Sequence, residues 1–187
     1  FCNEVIVNPD ANADPILEDG CKGPIFPTHN YGIGTSITLG QRLTVDILGE
    51  GQGGHFLSAG TAHQNVRRNA WPPCFDIQSK LEDGQSLDGY TAEQRAKCNP
   101  QTTAYGLWTM PADFFKVRSA AVSFRVPEQW IPGSVRGATV RLQGRNLWTS
   151  TDYEGLDPES HEDGGGLFQQ EYYNLPPSRT FLLSVQL

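Results

Sequence analysis

The sequence predicts an all-β protein, an antiparallel transmembrane β-barrel, and three observations favour that fold class. Five short segments alternate apolar with polar side chains, as strands do when one face meets lipid and the other meets water. Short and long connections join these segments in turn, which is typical of barrels with tight turns on one side and long loops on the other. The sequence has no run of about 18 apolar residues, so no membrane-spanning helix is predicted.

The first two strands are predicted near 31–39 and 42–50. In the first, the odd-numbered positions are Tyr, Ile, Thr, Ile and Leu, and the even-numbered positions are Gly, Gly, Ser and Thr. Successive side chains of a strand point to opposite faces, so one face suits lipid and the other suits water. Gly40 and Gln41 predict a two-residue hairpin connection between these strands.

Three more strands are predicted near 114–126, 136–146 and 179–187. The fourth strand has the clearest alternation of apolar with charged or polar residues. Lys116 and Arg118 fall on the apolar side of the third strand. This predicts either a position near the rim of the apolar band or a β-bulge that reverses the alternation.

The segments 1–30, 51–113 and 147–177 are predicted to be long outer loops. They contain turn-forming residues and show no sustained alternation, although a short helix over 91–97 is compatible with the sequence. Loops of this length are unusual in a compact soluble domain and common on the outer side of a membrane barrel.

Charge and motif content argue against several classes of function. The chain has 187 residues, of which 14 are basic and 21 acidic, and its net charge of -7 argues against a nucleic-acid partner. It contains no Gly-x-Ser-x-Gly motif, no phosphate-binding loop and no Cys/His pairing suited to catalysis. We therefore expect no enzyme activity, no catalytic residue and no cofactor.

Four cysteines are candidates for structural disulfides: Cys2, Cys21, Cys74 and Cys98. Three pairings are possible, and the sequence does not choose between them. Bridges between nearest neighbours would place both loops in an oxidising compartment. A zinc site is less favoured, because there is no Cys-x-x-Cys spacing and the four histidines are scattered.

Five strands cannot form the whole of a membrane barrel. An open sheet in hydrocarbon would leave unpaired backbone groups along both edges, and each would cost several kcal/mol. Bacterial single-chain barrels also have an even number of strands. The segment 1–187 is therefore expected to be the C-terminal part of a larger closed barrel.

Several stretches of this sequence resemble the C-terminal third of the barrel in TonB-dependent outer-membrane receptors of the SusC/RagA-like branch. The most specific is the stretch GRNLWT with TDYEGLDPE, at 144–149 and 151–159. The others are FFKVRS to FRVP at 114–127, PPSRTF at 176–181 and GPIFPTHNYGIGT at 23–35. The resemblance covers most of residues 23–187.

The resemblance implies a barrel of about 22 strands in the bacterial outer membrane, closed by an N-terminal plug domain. It also implies import of a nutrient such as a glycan or a peptide, driven by the TonB complex, and often a SusD-like surface lipoprotein as a partner. The remaining partners would be the rest of the barrel and outer-membrane lipid. The plug and the TonB box are absent from this chain, so energised transport is expected of a larger parent protein.

Candidate ligand-binding residues in the outer loops are Trp71, Tyr105, Tyr153 and Asp157. Aromatic rings can stack on ligands, but the same residue types form girdles at membrane interfaces, and for Trp71 and Tyr153 both roles stay open. Asp157, which precedes a proline, is also a turn starter. Trp108 and Trp148 are predicted to be interfacial, as is Trp130.

On the polar side of the fourth strand, Arg141, Gln143 and Arg145 are predicted to face the lumen. They would pair with carboxylates of a plug, meet solvent or contact substrate. The six acidic residues of 152–163 match no EF-hand spacing, and a solvated loop is favoured over calcium binding.

A rival interpretation is a secreted, disulfide-stapled β-sandwich that binds carbohydrate, in which the same apolar faces pack against each other. A secreted hydrolase is a third, weaker interpretation, because pairs of carboxylates are easy to find in an acidic chain. The solvent around Ile33, Val45, Val122, Val140 and Leu183 distinguishes a barrel from a sandwich.

Overall fold

The computed structural model of the protein describes residues 23–101, 105–131, 133, 137–163 and 169–187. Its strands are β1 His29–Leu39, β2 Leu43–Gly53, β3 Phe56–Ala59, β4 Thr109–Pro111, β5 Phe114–Val126, β6 Ala138–Thr151, β7 Glu162–Asp163, β8 Gln169–Glu171 and β9 Thr180–Gln186. Its helices are α1 Gly60–Arg67, α2 Phe75–Glu82 and α3 Ala92–Lys97, with 3-10 turns at Pro72–Cys74, Tyr105–Trp108 and Glu128–Trp130. Strands of mostly antiparallel sheets predominate, which confirms the all-β class.

The chain divides into two compact units. We call His29–Gly53, Phe114–Thr151 and Pro177–Leu187 the sheet unit. The other unit comprises Phe1–Thr28, Gly54–Asp113 and Asp152–Pro176. We call its described residues the loop unit.

The sheet unit is a five-stranded antiparallel sheet. Strands that follow one another within this unit are also neighbours in the sheet. The order is β1-β2-β5-β6-β9. Each of the five strands expected from the alternation coincides with one of these, although β2 and β6 run several residues further than expected. The first hairpin has three connecting residues, and Gly40 takes a positive φ of 62° that favours glycine.

A bulge interrupts β5 at Arg118. Ser119 pairs with Leu48 of β2, but the next pair is Val117 with Gly49, so Arg118 is an additional residue in the ladder. The register with β6 shifts at the same place. Because of the bulge, Lys116 lies on the face opposite to that of Ala120. This confirms that a β-bulge explains why Lys116 falls among the apolar positions when the sequence is read in strict alternation.

The loop unit contains a sheet of order β4-β3-β8-β7, in which β3 and β8 are parallel, together with the three helices. Leu57, Val66, Ile77 and Trp108 belong to its buried core. The segment 51–113, predicted to be a long loop that could include a short helix over 91–97, thus contains α3 at that place and also β3, α1, α2 and β4, which were not predicted. Each element is too short for its hydrophobic period to be visible, since the helices have six to eight residues. None of the described helices is long and apolar enough to span a bilayer.

Two predictions for the loop unit have clear outcomes. Cys74 and Cys98 form a disulfide with their Cα atoms 5.1 Å apart, as the nearest-neighbour pairing predicts. Cys2 and Cys21 lie outside the described residues. Trp108 is only 2% exposed, so its predicted interfacial position was wrong.

Candidate functional site

The apolar side of the sheet unit is exposed across all five strands. One row of directly paired residues crosses the sheet from β1 to β9: Ile37, Val45, Val122, Leu142 and Leu183. Four of these five side chains are more than two-fifths exposed, and Val45 is half-buried. Ile33 is 67% exposed, and Val140 is half-buried. These residues form a surface and not a core, so this face requires an apolar environment from outside the described chain.

Aromatic side chains lie at both ends of this apolar face. At one end, the rings of Tyr31 and Phe115 stack with centroids 6.2 Å apart, and Trp148 meets Phe115 edge-on at 6.5 Å. At the other end, Phe124 lies 6.5 Å from Trp130. Phe124 lies nine positions after Phe115, a distance of about 30 Å along an extended strand.

The opposite face carries a hydrogen-bonded network that connects four strands. Ser36 on β1 donates to Asp46 Oδ1 on β2 at 2.7 Å. Arg141 on β6 donates through Nη1 to Asp46 Oδ2 and to Ser123 Oγ on β5, both at 2.9 Å. The side chains of Asp46 and Arg141 are about one-third exposed, so the network is in contact with solvent.

A cavity of about 300 Å³ opens near the end of the sheet where the long connections begin. Glu50 and Arg118 contribute to its wall and form an ion pair at 2.9 Å between Oε2 and Nε. Gly49 and Gly51 of β2 leave room for the rings of Phe115 and Tyr31, because an added Cβ at either position would overlap a ring. The glycines of β2 thus allow aromatic rings to lie flat over the strand.

The register places Arg141, Gln143 and Arg145 on the same face as Asp46, because alternate residues of β6 share a face. That this face lines a channel stays a prediction.

The loop unit holds a second polar group, buried around Glu171. The side chain of Glu171 is fully buried and accepts hydrogen bonds from Thr61 Oγ1 and from the backbone N–H of Leu156, the latter at 3.4 Å. Burial raises the pKa of Glu171, as does the charge of Asp157, while the two hydrogen bonds act in the opposite direction. The pKa of Tyr153 is also raised, mainly by burial and then by the charges of Glu171 and Asp157.

The predicted ligand-binding residues occupy different environments. Trp71 packs partly buried against the core of the loop unit, and Tyr105 begins a 3-10 turn. Tyr153 and Asp157 are buried, and Asp157 Oδ1 accepts from the backbone N–H of Glu159 at 2.8 Å, as a turn starter does. Ligand contact by these residues stays a prediction, and the last two could reach a ligand only after local rearrangement.

Among the described residues, no three His, Cys, Asp or Glu side chains are grouped so that they could hold a metal ion.

Sequence reasoning missed the partners of Arg141 and of Glu171. Asp46 and Arg141 are oppositely charged residues on the polar sides of two predicted strands. Their pairing could therefore have been inferred from the sequence. Thr61 and Glu171 lie 110 residues apart in segments without periodicity, and no local signal connects them.

No protein-family model and no curated protein matches the sequence. Among solved structures, the fold is similar to the RagAB peptide importer in its closed-closed state, with a TM-score of 0.61 and 18% identity. The open-open state of the same importer gives a TM-score of 0.60 and 17% identity. Each alignment covers 97% of this chain and 20% of the other, so this chain spans about a fifth of that length. At such identity the likeness is one of fold, and it agrees at that level with the resemblance seen in the sequence.

Proposed function

We propose that this chain is the C-terminal part of the barrel of a TonB-dependent receptor, SusC/RagA-like, in the bacterial outer membrane. The receptor would bind and import a nutrient such as a peptide or a glycan. The exposed apolar face of the sheet unit carries this proposal. The fold similarity to a peptide importer supports the choice of peptide.

The dimensions of the apolar face suit a bilayer. Strands of such barrels tilt by about 40°, so a path of about 30 Å between Phe115 and Phe124 projects to roughly 23 Å along the membrane normal. Outer-membrane barrels carry an apolar band about 25 Å tall between two aromatic girdles. The aromatic pairs at the two ends of the face would be those girdles.

The edges of the sheet support a larger barrel. Within the described residues, β1 and β9 each pair with a single strand of this sheet. Backbone groups along both outer edges need partners in hydrocarbon, because water is absent there. Further strands of the parent protein would supply them and close a barrel of about 22 strands.

The polar face and the long connections suggest the remaining parts of the mechanism. The face with Asp46 and Arg141 would line the lumen and meet a plug domain, and the loop unit would lie on the outer side. There it could contact ligand and a SusD-like lipoprotein, while the TonB complex would act on the plug. The chemistry would be binding and gated passage, with no enzyme activity.

The carbohydrate-binding sandwich is the less favoured function. It needs a second sheet over the apolar face, yet Ile33, Val122 and Leu183 are 67%, 43% and 71% exposed. This exposure favours lipid as the neighbour of the face.

Adjacent residues on opposite faces of β6 give a direct test. We would introduce Leu142→Cys or Gln143→Cys into the full-length protein that carries this chain, and label each in outer membranes. A membrane-impermeant charged maleimide should not label Cys at 142 in membranes, because hydrocarbon surrounds that position and keeps the thiol protonated, and it should label the same cysteine once the protein is unfolded in SDS. The charged reagent should label Cys at 143 after partial opening of the plug by urea.

The unaltered protein is the control for native cysteines. Labelling of Cys at 142 by the charged reagent in untreated or urea-treated membranes would contradict the proposal, as would recovery of the protein in the soluble fraction.

A further inference from the structure

Two exposed aromatic rings meet an arginine at the end of α1. The rings of Tyr172 and Tyr173 lie 5.0 Å apart at an angle of 77°, and both side chains are partly exposed. Arg68, which caps α1, donates from Nη1 to the hydroxyl of Tyr173 at 2.8 Å. Its guanidinium carbon lies 6.0 Å from the centre of that ring. The three side chains, called the Tyr-Arg corner, form one surface of the loop unit.

The backbone at the Tyr-Arg corner has an unfavourable conformation that its surroundings hold in place. Tyr173 has a φ of 55°, in the left-handed region that a tyrosine rarely adopts. Its N–H donates to Thr61 Oγ1 at 2.6 Å, and Thr61 donates in turn to the buried Glu171. A Cβ added at Gly60 would lie 2.9 Å from the carbonyl oxygen of Glu171, so the two segments pack closely. Strain that is stabilised in this way concentrates at binding sites.

The charge of Arg68 has no counterpart in the part of the chain that the structure describes. Arg118 and Arg141 each bind a carboxylate, whereas Arg68 makes no ion pair with a described acidic residue and is exposed. Its contact with Tyr173 uses one of five N–H donors, and the remaining donors can form a bidentate contact with a carboxylate.

The angle between the rings restricts the type of ligand. The two rings are nearly perpendicular, so they do not form one continuous flat platform, and the guanidinium of Arg68 lies beside the Tyr173 hydroxyl. A chain that ends in a carboxylate fits this arrangement, because its last side chain can pack on the rings while its terminus reaches the guanidinium.

We propose that the Tyr-Arg corner binds the free C-terminal carboxylate of short peptides. This inference rests on the proposed function and specifies a peptide subsite. A contact with the terminal carboxylate would be shared by all peptides, so the site would select for chain ends and not for sequence.

The test uses the purified full-length protein in detergent and a pool of synthetic hexapeptides without Asp or Glu. The pool is prepared once as free acids and once as C-terminal amides, and retained peptides are quantified by mass spectrometry. The unaltered protein should bind the acids about tenfold more tightly than the amides, as expected for a hydrogen bond between charged groups. Arg68→Gln should reduce binding of the acids by about the same factor and leave the amides unchanged.

Arg67→Gln is the matched control, because Arg67 is an exposed arginine next in sequence and should not affect either pool. Tyr173→Phe keeps the ring but removes the hydroxyl that orients Arg68, and we expect a loss of about threefold for the acids only. Equal binding of acids and amides by the unaltered protein would overturn the proposal. So would equal losses in the two arginine variants, an equal loss of acids and amides in Arg68→Gln, or no retained peptide.

The outcome of the peptide-binding test is independent of the cysteine labelling at positions 142 and 143. Failure of peptide binding with the expected labelling would reject the subsite and leave the transporter proposal intact, whereas failure of the labelling would reject the transporter proposal itself.

Discussion

The two units use the same kinds of apolar residue in opposite ways. Leu57 and Trp108 of the loop unit are 0% and 2% exposed, whereas Leu142 and Leu183 of the sheet unit are 53% and 71% exposed. The loop unit excludes water by its own packing. The sheet unit presents its apolar residues outwards, and the described residues of the chain do not cover them.

Polar residues show the converse difference. Glu171 is fully buried in the loop unit, whereas Asp46 and Arg141 of the sheet unit remain partly exposed. One unit therefore has an interior of its own, whereas the other has two outer surfaces. Four substitutions test this difference.

The largest effect is expected for Trp108→Ala in the core of the loop unit. Removal of a buried tryptophan leaves a cavity and should lower the free energy of unfolding of this unit by about 3–5 kcal/mol. Urea denaturation followed by protease digestion of the loop unit would measure it. Trp148→Ala is the control, because Trp148 is 53% exposed and its loss should have a much smaller effect. Equal effects of the two substitutions would mean that the units do not differ as described.

A charge on the apolar face of the sheet unit should have the next largest effect. Leu142→Arg should destabilise the full-length protein in lipid vesicles by about 2–4 kcal/mol, because the guanidinium would enter hydrocarbon. Urea titration of protein refolded into vesicles provides the measurement. Gln143→Arg, on the opposite face, should be close to neutral. A neutral Leu142→Arg would show that water and not lipid covers this face.

Thr61→Val should destabilise the loop unit by about 1.5–3 kcal/mol, because Glu171 loses a hydrogen bond in a buried position. Burial raises the folded-state pKa of Glu171, so its stabilising contribution is complete below the unfolded pKa of about 4.3 and is lost as pH rises through the folded pKa. Loss of the Thr61 donor should raise this pKa further and steepen the decline in stability with pH.

Unfolding of the loop unit measured at several pH values would test this, with Glu171→Gln as the control that removes the Glu171 contribution. A decline of unchanged steepness in Glu171→Gln would assign the pH dependence to other groups.

Asp46→Asn should have the smallest effect of the four, because the ion pair with Arg141 lies in contact with solvent. The same denaturation assay in vesicles would measure it, and Ser36→Ala would estimate the hydrogen-bond contribution. A loss as large as that expected for Trp108→Ala would be the response of a dry ion pair and would remove the distinction between a wet and an apolar face.

The strands of the sheet unit could be predicted because one face of each strand is mostly apolar and the other mostly polar, which gives a visible alternation in the sequence. Val122 and Val140 alternate with polar residues within a few positions, so the signal is local. The core of the loop unit joins Leu57, Ile77 and Trp108 from separate short elements, and no window of sequence contains enough of it. The position of Arg118 in a bulge was one of two predicted explanations, and only the pairing distinguished them.

The candidate site was predictable in part for the same reason. The shared face of Arg141, Gln143 and Arg145 follows from alternation, but the Tyr-Arg corner depends on contacts between α1 and a segment about 105 residues later. Its left-handed tyrosine also has no signature in the sequence, since tyrosine rarely adopts that conformation.

The additional residue at Arg118 has a practical consequence for exchanging segments of this chain with those of similar proteins. It divides β5 into two portions whose inward and outward positions follow opposite numbering, so Phe114 and Lys116 do not share a side with Ala120 and Val122. An exchange of loops that leaves Arg118 in place does not change which face of the sheet each residue of β5 occupies. A splice that deletes or duplicates this single position would reverse the faces of 114–117, and Lys116 would then lie on the apolar face of the sheet unit.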